Sequence, residues 1–199
     1  ERRAARARSV VTLLRSSACG EGGSDISAQS HRVATYMQEV PHEPAKILIG
    51  RGSYEDGFGY LRTIEQAFGQ SFSKSERKEV LLLQAEVLIA TGKNENATKL
   101  LRQIVETNPL EGKALLLLGN HAWKENDHAQ ASLYFERAAK VDEWKVKALI
   151  EHARMLVSTR EYDRAISLLQ EVQAIDPQPR IDRYLKSIQN LLLSSRLKL

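Results

Sequence analysis

The sequence predicts an all-α fold, a right-handed superhelix (solenoid) of stacked helical hairpins with a C-terminal capping helix. Apolar residues recur at helical spacing in paired runs, and short polar turns such as residues 91–94 separate the runs. The pattern repeats at a constant offset of 34 residues across 78–177. Small residues hold two fixed places in every unit: Ala85, Gly119 and Ala153 at the eighth, and Ala97, Ala131 and Ala165 at the twentieth.

Each unit is therefore predicted to be one helical hairpin. The small residues let its two helices approach closely, while a large residue at the twenty-fourth position fills the space between hairpins; these are Leu101, Phe135 and Leu169. Neither helix could bury its apolar face alone. Stacking makes a continuous core, which is why such arrays need several units.

These positions resemble the tetratricopeptide repeat family, whose pattern asks for a large residue at position four and proline at thirty-two. Leu81, Leu115, Leu149, Pro109 and Pro177 meet those requirements. Gln84 and His152 depart from the aliphatic residue expected at position seven, and Glu143 replaces a closing proline. The resemblance implies stacked hairpins that bind other proteins.

The N-terminal part is predicted to contain a basic helix and flexible link at 1–24, then a further helix at 25–43. A lipoprotein-like cleavage box at 17–20 and an organelle transit peptide are alternatives. Arg15 interrupts a short apolar stretch, so a helix leading into the array is favoured. Because the chain starts at Glu1 rather than Met, we expect it to be a fragment of a longer protein.

Residues 44–77 are predicted to form a degenerate repeat and its connection, since 48–64 align with 88–104 at an offset of 40 residues. The extra residues lie in the connection from Ser71 to Arg77. Pro44 is expected near the start of the first helix, where proline is tolerated. Gly57 and Gly59 should weaken the second helix.

Residues 178–199 are predicted to form the amphipathic capping helix. The alternative is that its apolar run, residues 191–193, contacts a partner or a second copy, which would make the chain a homo-oligomer. Capping is the favoured interpretation.

Composition excludes several classes of function. The chain has 199 residues, of which 42% are hydrophobic and 27% charged, as is typical of globular proteins. No apolar run approaches the roughly 18 residues of a transmembrane helix. The net charge of +4 resides in residues 1–18, where five arginines face one glutamate. Without a basic stripe in the repeats, no nucleic-acid partner is predicted.

The sequence offers no set of residues for catalysis. Cys19 is the single cysteine, so no disulfide framework or cysteine-rich zinc site can form within the chain. His152 is predicted to be a hydrogen-bonded core histidine, and no phosphate loop or nucleophile elbow is present. We therefore predict no enzyme, catalytic residue, metal or cofactor. The compartment stays open; cytoplasm is slightly favoured and a bacterial periplasm is possible.

The family resemblance implies a concave groove lined by repeat positions two, five, nine, twelve and thirteen. The residues expected to contact a partner there are Glu79, Glu86 and Ile89, then Lys113, Leu116, Asn120, Trp123 and Lys124, then Lys147, Arg154 and Val157. Trp123 is the expected anchor, because large aromatics dominate interface energies. At position five, Leu82, Leu116 and Ile150 could instead be core, which is favoured. The carboxylate clamp of chaperone-binding relatives is matched only by Asn120 and Arg154, so chaperone-tail binding is not predicted.

These observations predict a non-enzymatic adaptor that binds a peptide or an amphipathic helix of another protein. Two alternatives remain. The chain could be a structural or assembly domain of a larger protein, through self-association or intramolecular packing, or the regulatory module of an enzyme lying upstream.

Overall fold

The computed structural model describes residues 42–196, and every regular element within that range is an α-helix. The predicted segment 1–24 and residues 25–41 of the predicted segment 25–43 lie outside the described residues, as do 197–199. The helices are α1 (Glu43–Gly50), α2 (Tyr54–Phe68), α3 (Lys74–Ala90), α4 (Asn94–Thr107), α5 (Gly112–Lys124), α6 (His128–Ala138), α7 (Asp142–Ser158), α8 (Tyr162–Ile175) and α9 (Pro179–Arg196). The all-α prediction is confirmed. None of these helices is long and apolar enough to cross a bilayer.

The helices belong to two compact units, and the boundary between the units falls within α4, between residues 100 and 101. In the first unit, α1 packs on α2, and both contact α3. In the second, α5, α6, α7, α8 and α9 pack in sequence, each on the next, and α5 also contacts α7. Neighbours along the chain are therefore neighbours in space within each unit.

Four helices end in the same left-handed turn. Its central residue has positive φ: Gly52 at 79°, Gly92 at 77°, Asn126 at 62° and Arg160 at 64°. In each case its N–H donates to the carbonyl three residues back, and the following N–H donates to the carbonyl five residues before it. This is the Schellman arrangement, which satisfies carbonyls at a helix end. The turn between α1 and α2 has the same arrangement as the turns inside the three repeats, which supports the proposed degenerate repeat at 44–77.

The small and large positions of the repeat pack as the sequence predicts. All six small residues named above are buried, as are Leu101, Phe135 and Leu169. A Cβ added to Gly119 would lie 2.6 Å from Cε1 of Phe135. The glycine therefore allows the wide Phe135 ring of α6 to lie directly against the α5 backbone.

The first unit has its own core, made by residues from three helices: Ala45 and Leu48 of α1, Tyr60, Leu61 and Ile64 of α2, and Val80 and Leu83 of α3. Pro44 lies in the first turn of α1, where its missing N–H costs no hydrogen bond. Although Gly57 and Gly59 were expected to weaken α2, the helix is continuous. A Cβ on Gly57 would lie 2.9 Å from Ile49 Cγ1, so this glycine permits close packing of α1 on α2.

Helix α3 begins earlier than the repeat register suggests, inside the connection expected at 71–77. The cause is a capping box: Ser73 Oγ accepts from the Glu76 N–H at 3.2 Å, and the Ser73 N–H donates to Glu76 Oε2 at 2.8 Å. Both bonds fix the first turn at Lys74.

The C-terminal helix α9 packs on α8 through one apolar face. Ile181 and Ile188 are buried, and Arg196 Nη2 reaches Asp163 Oδ1 of α8 at 3.1 Å. On its remaining surface Leu191 is 48% and Leu193 59% exposed. One apolar face of α9 therefore covers α8, while part of the leucine run stays exposed.

Candidate functional site

In the first unit, the predicted groove residues lie on α3 and all three are partly exposed: Glu79, Glu86 and Ile89. Glu79 Oε1 lies 2.7 Å from Nζ of Lys46 on α1. Burial alone would lower the pKa of Lys46, but the hydrogen bonds and charges of Glu79 and Glu43 together outweigh burial and raise it. Glu79 is thus held in an ion pair with α1, which reduces its negative charge toward a partner.

In the second unit, the remaining predicted residues except Leu116 lie on the exposed surface of α5 and α7, which we call the first-helix face. Trp123 lies near the C-terminal end of α5, partly exposed, and its indole Nε1–H donates to Oγ of Ser158, the last residue of α7, at 3.2 Å. The Ser158 hydroxyl in turn donates to the Met155 carbonyl at 2.6 Å. The tryptophan ring is therefore held in place by the end of α7. Asn120 is partly exposed one turn earlier on α5.

Position five divides between core and surface. Leu116 was included in the groove, and this is corrected: it is only 3% exposed and belongs to the core. Leu82 is also buried, at 1%. Ile150 remains partly exposed on α7. Leu82 and Leu116 are thus core, as was favoured for position five. Core was favoured for Ile150 too, and this is corrected, because its side chain contributes to the surface.

Charged residues surround the second-unit surface. Lys147 Nζ lies 5.3 Å from the ring centroid of Trp144, within the range of a cation–π interaction. Arg154 Nη1 donates to both carboxylate oxygens of Glu151, at 3.1 and 3.3 Å. Lys124 is exposed, while Lys113 and Val157 are partly exposed. Basic side chains therefore lie on both α5 and α7 of this surface.

A cleft of about 620 Å³ lies between α7 and α9. Its lining includes Lys147, Ile150 and Arg154 from α7, and Arg180, Ile181 and Tyr184 from α9. Burial raises the pKa of the Tyr184 phenol. The cleft brings two predicted groove residues, Lys147 and Arg154, together with three residues of α9 that the sequence analysis did not select.

His152 lies on the other side of α7, beside a second cavity of about 450 Å³. It is 3% exposed, its Nε2 lies 3.1 Å from Ser132 Oγ, and its ring centroid is 5.8 Å from that of Phe135. Burial lowers its pKa, against a smaller opposing effect of Glu136. The predicted hydrogen-bonded core histidine is confirmed. Among residues 42–196, no group of three or more histidine, cysteine or acidic side chains could hold a metal ion.

Two sequence profiles that describe the tetratricopeptide repeat match residues 82–145 and 122–188, which together are more than half of the chain. The chain belongs to the tetratricopeptide repeat family. Its repeats support a protein–protein interaction scaffold in general, and proteins of this fold are typically non-catalytic.

Relatives agree with this family. Anaphase-promoting complex subunit 3 of Schizosaccharomyces pombe is 28% identical over 91 residues, which are 46% of this chain and 14% of that protein. The match thus spans only about a seventh of the length of this relative. The tetratricopeptide repeat protein TTC0263 of Thermus thermophilus has a TM-score of 0.62 at 13% identity, covering 80% of this chain and 86% of its own. YrrB is described as a tetratricopeptide repeat protein with an unusual peptide-binding site. Its TM-score is 0.58 at 15% identity, and the match covers 82% of this chain and 77% of YrrB. MamA has a TM-score of 0.55 at 17% identity, and the match covers 72% of this chain and 73% of MamA. At these identities the structures show a shared fold.

The repeat register explains how the α9 residues of the cleft could have been found. Continuing the 34-residue tetratricopeptide offset beyond Pro177 places Arg180 at position one of a next unit. Ile181 then falls at position two and Tyr184 at position five, both of which line the groove in this family. The prediction of α9 as a capping helix did not assign its residues to these repeat positions.

Proposed function

We propose that this chain is a non-enzymatic scaffold whose first-helix face docks a peptide or an amphipathic helix of a partner protein. The observation that carries the proposal is the Trp123 indole, partly exposed yet held by its hydrogen bond to Ser158. Aromatic side chains of this kind dominate the binding energy of protein interfaces.

The mechanism is docking on a largely preformed surface. A side chain that is already fixed loses little conformational entropy when a partner binds, which favours affinity. The Asn120 amide supplies both a donor and an acceptor, as a peptide group in an extended segment requires. Trp123 and Asn120 lie about one helical turn apart, so one short segment of a partner can contact both.

The test captures partners from a lysate of the source organism on the 199-residue chain. Parallel captures use Trp123→Ala and Asn120→Ala, with Leu133→Ala as the matched control. Leu133 is 47% exposed on α6, a second helix of its hairpin, outside the first-helix face. Mass spectrometry identifies proteins retained by the unsubstituted chain and the control. Circular dichroism checks that helicity and melting are unchanged.

A partner lost with both face variants and kept by the control supports docking on the first-helix face. Recovery of the same proteins with every variant, or of none with any, contradicts it.

A second candidate function is self-assembly through α9, which the exposure of Leu191 and Leu193 favours. Sedimentation across a concentration series tests it. A dimer that forms as concentration rises and is abolished by Leu191→Ser with Leu193→Ser supports assembly. A monomer at every concentration contradicts it.

A further inference from the structure

The floor of the α7–α9 cleft is apolar. Val146 and Ile150 of α7 and Ile181 of α9 all line it. Its volume of about 620 Å³ lies within the range of roughly 300–1,000 Å³ found for ligand pockets. Apolar lining of this size favours a large aliphatic or aromatic side chain, whose burial removes both surfaces from water.

The walls of the cleft carry more positive than negative charge. Lys147, Arg154 and Arg180 are its cations, and Glu143 and Glu151 its carboxylates. Both oxygens of Glu151 already accept from one nitrogen of Arg154. A guanidinium has five N–H donors, so Arg154 keeps further donors for a ligand. The positive excess favours an acidic occupant.

Polar donors lie beside this apolar floor. Arg180 occupies the first turn of α9, where its Nε donates to Gln178 Oε1 at 2.7 Å. Its remaining guanidinium donors are available to a carboxylate, because one nitrogen alone makes that bond. Tyr184 adds a hydroxyl from the same helix. Positive and hydroxyl donors therefore flank an apolar centre.

We propose that the α7–α9 cleft binds an extended segment of a partner protein in which acidic residues flank a large apolar side chain. This inference rests on the proposed scaffold function and names the chemistry of the partner. The apolar side chain occupies the floor formed by Ile150 and Ile181. Its flanking carboxylates contact Lys147 and Arg180.

Other occupants fit less well. A basic segment would be repelled by the positive excess. A small inorganic anion would leave Ile150 exposed to water and gain nothing from the apolar floor.

The test selects peptides from a displayed library of random sequences against the full chain. Enriched peptides are synthesised with a fluorophore, and their affinity is measured by anisotropy. The decisive variant is Arg180→Glu, and Arg183→Glu is the matched control on the same helix, exposed and outside the cleft lining. A glutamate in the first turn of α9 is favourable to the helix dipole, so Arg180→Glu should fold normally.

The proposal expects enriched peptides that combine acidic residues with a large apolar residue. Their affinity should fall at least tenfold with Arg180→Glu and by less than about twofold with Arg183→Glu. Raising NaCl from about 50 to about 500 mM should also weaken binding, since salt screens these charges.

Each contrary result has a distinct meaning. Peptides that lack acidic residues, or that bind Arg180→Glu unchanged but are lost with Trp123→Ala, overturn this inference and leave the scaffold proposal standing. If no peptide is enriched, the inference and the proposed peptide docking both fail. Strong binding of a small anion alone, measured with inorganic phosphate as the probe, would also overturn it.

Discussion

Gly119→Ala should destabilise the protein, even though alanine is the better helix former. In an exposed helix the substitution would gain about 1 kcal/mol. Here the new Cβ would lie 2.6 Å from Cε1 and 2.7 Å from Cδ1 of Phe135, whose ring is 1% exposed and closely packed. Overpacking of this kind costs about 1–3 kcal/mol, so the expected net loss is about 1 kcal/mol.

The other two repeats suggest the compensating change. They carry alanine at position eight and leucine at position twenty-four, whereas the middle repeat carries Gly119 and Phe135. In a Phe135→Leu background the clash disappears, so Gly119→Ala should become stabilising by up to about 1 kcal/mol. The double-mutant cycle should therefore show a coupling of about 2 kcal/mol.

The measurement is urea unfolding of the four proteins, followed by circular dichroism at 222 nm. Melting gives a second readout, at roughly 2–4 °C per kcal/mol for a chain of this length. An equal effect of Gly119→Ala in both backgrounds, or a more stable chain that retains Phe135, would contradict the predicted clash.

Three further predictions concern other positions. Arg160→Gly should raise the free energy of unfolding by about 0.5–1 kcal/mol, because glycine tolerates a φ of 64°. Asn126→Gly should raise it by less, since asparagine already tolerates this region. Urea unfolding of both variants tests the difference. Because burial lowers the pKa of His152, the unfolded state binds more protons near pH 6.5, so stability should fall as pH drops through that value. Melting measured over a pH series should show this loss of stability in the unsubstituted chain and not in His152→Leu. The same dependence on pH in both proteins would contradict the prediction. Glu65→Ala should lower the free energy of unfolding in urea by about 1–3 kcal/mol, because the buried Gln84 amide loses the Glu65 carboxylate that accepts from it at 2.8 Å. Adding Gln84→Leu should recover most of this loss, and no recovery would contradict the role given to the Gln84–Glu65 bond.

The repeat positions were predictable because each is defined by an offset rather than by a single residue. Gly119 and Phe135 occupy two facing positions, and the small glycine makes room for the large ring. The sequence shows this pair as a small and a large residue at fixed positions of the repeat. The start of α3 was predicted too late, although Ser73 and Glu76 have the spacing of a capping box. Two local hydrogen bonds extend this helix beyond its repeat.

The candidate site was only partly predictable. Trp123 lies partly exposed on the first-helix face, where the family pattern placed it. Its bond to Ser158 joins two repeats and has no local signal in the sequence. Leu116 has the same chemistry as an exposed groove leucine, and only the packing around α5 decides its burial. Tyr184 required the register to be continued beyond the last recognised repeat.

The left-handed turns also have a consequence for how the chain folds. Their hydrogen bonds join residues no more than five positions apart, and the second-unit helices pack on their neighbours along the chain. Closing such short loops costs little entropy, and chains dominated by local contacts fold fast for their size. During synthesis, each new hairpin of roughly 34 residues can therefore pack on the hairpins already made, before the helices that follow it exist.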